Sequence, residues 1–155
     1  MNMIRLNAVF VTELTKLILP DMAARKSGRI LFLGSIVSYI PSPLNAVYSA
    51  SKAYVLSFSR AIGAELRGTG ITVTALCPGA TRTNFAERAD LREARAFSGR
   101  FVMSPERVAD AGYRSMMKGK ISCTPGIYNK TMIFLSKIFP AVLTDRYARR
   151  MFMKR

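Results

Sequence analysis

Two short apolar runs, Arg29-Ile-Leu-Phe-Leu-Gly34 and Ile71-Thr-Val-Thr-Ala-Leu76, constrain the fold of this chain more than any other feature. The first reads as a strand buried on both faces. The second is a β-rich run ended sharply by Pro78-Gly79. Between them, from about Asn45 to Leu66, residues rich in Ala, Ser and apolar types predict a long helix that stops at Gly68-Thr-Gly70. Another helix precedes the first run. Leu6, Val9, Phe10, Leu14, Leu17 and Ile18 recur at helical spacing from about Ile4 to Arg25, and Ser27-Gly28 ends them. Farther on, Ser104-Pro105-Glu106 supplies an N-cap, a proline at the first helical position and an acid in the first turn. That helix runs to near Gly119, residues 121–124 could form a short strand, and the remainder reads as helical and basic.

Helix and strand in alternation is the rhythm of an α/β layered fold with parallel strands. The length, 155 residues, suits one compact domain. Two firm strands and one short one make a small sheet, however. A strand buried on both faces needs neighbours on both sides, so the sheet reads as incomplete.

Composition removes several kinds of chemistry. The chain has no His, which excludes Ser-His-Asp triads, His bases and His-ligated metals, and no metal site is expected. Cys77 and Cys123 form no CxxC and no disulfide framework, which points to a reducing cytoplasm. The formal charge of +15 first suggests an acidic partner. It is concentrated late: residues 112–155 hold 10 Lys and Arg and a single acid, Asp145. That segment lacks the aromatic stacking positions or groove-reading helix of a nucleic-acid module, and no nucleic-acid partner is expected. Arg5, Glu13 and Lys16 interrupt the early apolar residues, so no secretory signal opens the chain. Lys137 and Pro140 break the apolar stretch Thr131 to Leu143, which is too short to span a bilayer.

The residues that carry chemistry cluster around the two strands. Tyr48-Ser-Ala-Ser-Lys52 opens the second long helix, and its i, i+4 spacing puts phenol and ammonium on one face. A nearby ammonium favours the phenolate, lowering the pKa of the Tyr and making it a usable acid or base near neutral pH. Ser35 stands at the carboxyl end of the first strand, where ligands of open α/β sheets bind and where a hydroxyl can donate to a carbonyl oxygen. The second strand ends at the same edge in Cys77-Pro-Gly-Ala-Thr-Arg-Thr83. Glycine there lets backbone approach a flat ligand, and Thr supplies an orienting hydroxyl. Cys77 itself reads as a small buried apolar residue.

Ser at one strand end, Tyr-x-x-x-Lys on the next helix and Pro-Gly-x-x-x-Thr after the next strand resemble the short-chain dehydrogenase/reductase family. The likeness is dense from about residue 4 to residue 85 and thinner from Ser104 to Gly126. It implies an NAD(P)-dependent oxidoreductase that moves a hydride between nicotinamide and a ketone or secondary alcohol. By the same resemblance Tyr48 is the general acid/base, Lys52 lowers its pKa and holds the nicotinamide ribose, and Ser35 orients the carbonyl. Asn7 matches the family's Asn that continues a proton relay through water to the Lys. Pro78, Gly79, Thr81 and Thr83 line the nicotinamide, with the Thr83 hydroxyl on its carboxamide.

The Gly-rich turn of the family's amino-terminal half and its Asn-Asn-Ala-Gly-like segment are absent from the sequence. The expected fold is therefore a truncated Rossmann-like, doubly wound parallel sheet lacking the dinucleotide-binding half. Its partial domain covers residues 1–128, and residues 129–155 form a basic, apolar-helical extension. Two functions stay open: the catalytic half of a dehydrogenase, or an inactive remnant acting through its dimerisation helices. NAD or NADP is the expected cofactor, NADP being preferred. Phe85, Phe97, Phe101, Val102 and Met103 in the segment over the cleft suggest an apolar or acyl-type substrate. In this family the helices at 3–26 and 46–67 pair between subunits, so a homo-oligomer is expected. Residues 130–155 either pack on the protein or make peripheral contact with an anionic membrane. The expected location is the cytoplasm, with or without that membrane contact.

Overall fold

In the computed structural model, which describes residues 2–88, 94–97, 99 and 101–153, the first periodic stretch forms a helical rod with one widened turn. Helix α1 (Asn2–Ile4) passes through a π-helical turn at Arg5–Val9 into α2 (Phe10–Ala24). The Phe10 N–H reaches back to the Arg5 carbonyl, one residue farther than an α-helix allows. Apolar periodicity carries no trace of this insertion, because Leu6 and Phe10 keep helical spacing across it.

Strand β1 (Gly28–Leu33) is joined by α3 (Ala46–Glu65) to β2 (Ile71–Leu76), which lies parallel to it in a register running from Gly28↔Ile71 to Leu33↔Leu76. After α4 (Phe85–Arg88), a 3-10 turn at Arg95–Phe97 and α5 (Pro105–Met117), the short β3 (Ser122–Cys123) pairs on the other side of β2. The order is β1-β2-β3, all parallel. Helices α6 (Ile127–Ile138) and α7 (Ala141–Phe152) follow, joined by the exposed Phe139-Pro140 corner.

Two helices cover one face of the sheet. Ile30, Phe32 and Val73 pack there against Val55 of α3 and Ile18 of α2, with the Phe32 and Phe58 rings edge-on at 5.8 Å. On the other face α5 sits on β2 through Gly112, where a Cβ would fall 2.6 Å from the Leu76 side chain. Helix α5 touches β1 as well, but among the described residues β2 is the central strand, flanked by β1 and β3, while β1 lies at the edge. The strand buried on both faces is β2, not β1: Leu31 and Leu33 of β1 remain 37% and 56% exposed. Among the described residues β1 has β2 as its only strand partner, and its outer edge has no strand beside it.

The link from α3 to β2 depends on Gly70. Its φ of +81° lies in the left-handed region, and a Cβ would overlap the Lys26 carbonyl. At α5, the Ser104 hydroxyl accepts from the Arg107 N–H at 3.4 Å, and Pro105 takes the first helical position, as the sequence predicts.

Candidate active site

Both principal strands end at one edge, and their loops are bonded to each other. The Gly34 N–H donates to the Leu76 carbonyl at 2.8 Å, and the Ile36 N–H to the Pro78 carbonyl at 2.9 Å. Ser35 is held in this frame by a capping box. Its hydroxyl accepts from the Val37 N–H at 3.3 Å, while its own N–H donates to the Ser38 hydroxyl at 3.1 Å. With its oxygen engaged as an acceptor, the Ser35 O–H is left to donate across the mouth of the site.

Tyr48 stands in the first turn of α3 with Ser35 beside it. Burial pushes the Tyr48 phenol above its ordinary pKa, and the hydrogen bond from Ser35 pulls it partly back. Lys52 lies one turn on, on the same face. Its ammonium donates to the Leu33 carbonyl at 2.8 Å and sits 5.9 Å from the centre of the Tyr48 ring. Burial holds Lys52 below the usual lysine range, with the Cys77 thiol acting in the opposite sense. The expected lowering of the Tyr48 pKa is thus not what the chain alone displays. Desolvation dominates, and the ammonium is turned toward a backbone carbonyl.

Asn7 lies within the π-helical turn and bonds elsewhere than to Lys52. Its Nδ2 donates to the Ser51 hydroxyl at 3.0 Å, and Ser51 in turn donates to the Tyr48 carbonyl at 2.8 Å. It therefore fixes the backbone of the helix turn that carries Tyr48 and Lys52.

The second loop is built from short-range bonds. Thr81 donates its hydroxyl to the Gly79 carbonyl at 3.0 Å and forms a parallel bridge with Met103. The Arg82 N–H donates to the Met103 carbonyl at 2.9 Å and the Met103 N–H to the Ala80 carbonyl at 3.0 Å, closing a neck. The Thr83 oxygen accepts from the Phe85 N–H at 3.3 Å, which leaves its O–H for a ligand. Gly79 has no room for a side chain, because the Asn129 amide occupies that space, anchored by a 2.7 Å bond from Nδ2 to the Pro125 carbonyl.

Two contributors escaped sequence reasoning. The Leu33 carbonyl that holds Lys52 is backbone and has no sequence signature. Asn129 is buried from α6, and its only trace is a polar residue in an apolar helical run. Phe85, which reads from sequence as cover for the cleft, has its ring 5.2 Å from the Tyr48 ring and 6.2 Å from Phe97. Cys77 is fully buried, and burial pushes its thiol up, which suits an inert core residue.

These donors suit the riboside end of a nicotinamide cofactor. Lys52 has spent one of its three N–H groups and can offer the others to ribose hydroxyls. Thr83 offers a hydroxyl for a carboxamide, while the space that Gly79 leaves open is taken by Asn129 and not left for a flat ligand.

Known proteins share this architecture. A family model described as short chain dehydrogenase matches residues 1–94. A 3-oxoacyl-(acyl-carrier-protein) reductase of Buchnera aphidicola is 31% identical over 114 residues, covering 71% of this chain and 47% of that protein. A very-long-chain 3-oxoacyl-CoA reductase of Anas platyrhynchos is 43% identical over 77 residues, covering 50% of this chain and 25% of that protein. The solved structure of a short-chain dehydrogenase from Sphingobium yanoikuyae in complex with NADPH superposes with a TM-score of 0.73 at 27% identity, covering 90% of this chain and 54% of that one. This chain spans about half the length, or less, of these relatives.

Proposed function

The chain belongs to the short-chain dehydrogenase family, and from that premise we propose that it carries the acid/base and nicotinamide-side residues of an NAD(P)-dependent oxidoreductase acting on a ketone or secondary alcohol. The observation that carries this reading is the meeting of Ser35, Tyr48 and Lys52 at the carboxyl ends of parallel strands. When bound, the nicotinamide supplies or accepts the hydride. Ser35 donates to the substrate carbonyl oxygen and orients it. Tyr48, protonated because burial raises its pKa, gives its proton to that oxygen as the alcohol forms. Lys52 holds the ribose and lies next to the phenolate left behind. Asn7 and Ser51 keep that helix turn in place.

The substrate we propose is apolar or acyl-type. Phe85 and Phe97 form an aromatic wall against Tyr48, and the Buchnera and Anas relatives named above are 3-oxoacyl reductases. NADP is the preferred cofactor, as in the complex of the Sphingobium relative. Leu6 of the π-helical turn and Phe10 and Leu17 of α2 are exposed apolar residues, as are Val47 and Tyr54 of α3, which is bonded to α2 through Thr12 and Tyr54. A second copy covering these residues is the homo-oligomer we propose. A cytoplasmic setting suits the two unpaired thiols.

Titration with NADPH and NADH, followed by turnover of a 3-oxoacyl thioester, tests this reading. Binding with turnover, lost in Tyr48→Phe, is the expected result. Absence of both, with helix-mediated oligomers still present, would favour a non-catalytic role through the helices.

A further inference from the structure

We infer that the α6–α7 corner is a docking surface for an anionic lipid bilayer, on which it lies without spanning. Five large apolar side chains meet there: Phe134, Ile138, Phe139, Val142 and Leu143, each at least half exposed. Phe134 and Ile138 share one helical face at i, i+4, and the corner carries that surface directly into Val142 at the start of α7. The corner is tightly made, with the Phe139 N–H bonded to the Leu135 carbonyl and the Leu143 N–H to the Pro140 carbonyl, both at 3.0 Å. Monomeric soluble proteins rarely leave this much apolar surface at one corner in water without a use for it.

Charge identifies the occupant. Lys130, Lys137, Arg146, Arg149 and Arg150 all lie on the exposed surface of the same two helices. The one acid of this region, Asp145, is turned away: it lines the cleft beside Val37 and Tyr39, with Oδ1 buried. Exposed apolar side chains and exposed cations on the same two helices, with Asp145 as the single acid of α6 and α7 and that one in the cleft, form the pattern of an interfacial helix on anionic headgroups. A second copy on the same surface would bring like charges together, which disfavours self-association. A nucleic acid would leave Phe139 and Val142 unrewarded. Among the described residues no helix is long and apolar enough to cross a membrane, so the pair rests at the interface. Helix α7 also packs on the Arg95–Phe97 turn, whose Phe97 adjoins Phe85 and, through it, Tyr48.

Cosedimentation with extruded vesicles tests the inference, comparing phosphatidylcholine alone with phosphatidylcholine containing one-third phosphatidylglycerol. The expected result is at least about tenfold preference for the anionic vesicles, falling steeply from about 0.05 to about 0.5 M salt. Phe134→Asp with Phe139→Asp abolishes binding while the circular dichroism spectrum is unchanged. Neutralising Lys137, Arg146 or Arg149 singly weakens it by about fivefold each. Leu17→Asp on α2 and Tyr48→Phe leave it intact. The inference is overturned by equal binding to neutral vesicles, by no binding to anionic ones, or by loss through Leu17→Asp instead. A dimer in solution that Phe139→Asp dissociates would assign the surface to a second copy and overturn it equally. Because the readout is lipid binding, its failure is separate from any failure of the catalytic reading.

Discussion

The raised pKa of Tyr48 makes a directional statement about the chemistry. Burial moves it above 10.0, so the phenol holds its proton throughout the neutral range and stands ready as an acid. Carbonyl reduction should therefore be level from about pH 6 to 9 and fall at higher pH, while alcohol oxidation rises as the phenolate forms. Stability follows the same sign. A raised folded pKa contributes stability below the ordinary value that is lost as pH climbs through the folded one, and Tyr48→Phe should lack that component of the alkaline loss. Urea unfolding at two alkaline pH values measures it. For activity, Tyr48→Phe should lower kcat by about 10²–10⁴-fold with NADPH affinity nearly unchanged, read by single-turnover assay. Much of this site was legible in sequence because Ser35, Tyr48 and Lys52 are fixed by spacing on one strand end and one helix face. The Leu33 carbonyl was not, since a backbone acceptor can belong to any residue, and Asn7 was placed nearby but its bond to Ser51 was not foreseen.

At the scale of elements, two glycines in one turn separate backbone strain from steric overlap. Gly68 and Gly70 have φ of +80° and +81°, but a Cβ at Gly68 meets nothing, while one at Gly70 overlaps the Lys26 carbonyl. Gly68→Ala should cost about 1 kcal/mol, the left-handed penalty alone. Gly70→Ala should cost clearly more, because part of the α3–β2 link must also shift, and equilibrium unfolding of the two variants reads the difference. Gly112→Ala forces Leu76 aside and should lose about 1–3 kcal/mol by overpacking. Apolar periodicity and breakers were enough to place α2, α3, α5 and both principal strands. They could not show which strand was covered twice, because Arg29–Leu33 and Ile71–Leu76 are similarly apolar and the difference lies in which of them is central in the sheet. The widened turn at Arg5–Val9 left no mark in the spacing either.

For the molecule as a whole, the exposed apolar residues Leu6, Phe10 and Leu17 predict association in solution. Phe10→Asp with Leu17→Asp should shift the mass measured by light scattering toward the monomer without changing the helical signal. Composition was least informative at this scale. A charge of +15 reads as affinity for polyanions, whereas its late portion shares α6 and α7 with exposed apolar side chains, a pairing the sequence of 130–155 already suggests. The neck at Thr81 and Met103 has a wider consequence. The main-chain bonds from Arg82 to Met103 and from Met103 to Ala80 clasp both ends of the intervening segment at one point of the scaffold. These bonds fix where the segment leaves and rejoins the scaffold, so side chains next to the neck can be exchanged while the strand tips that hold Ser35 and Pro78 keep their positions. Retuning the cleft there should spare Phe85, whose ring lies against Tyr48, and the Arg95–Phe97 turn beneath α7.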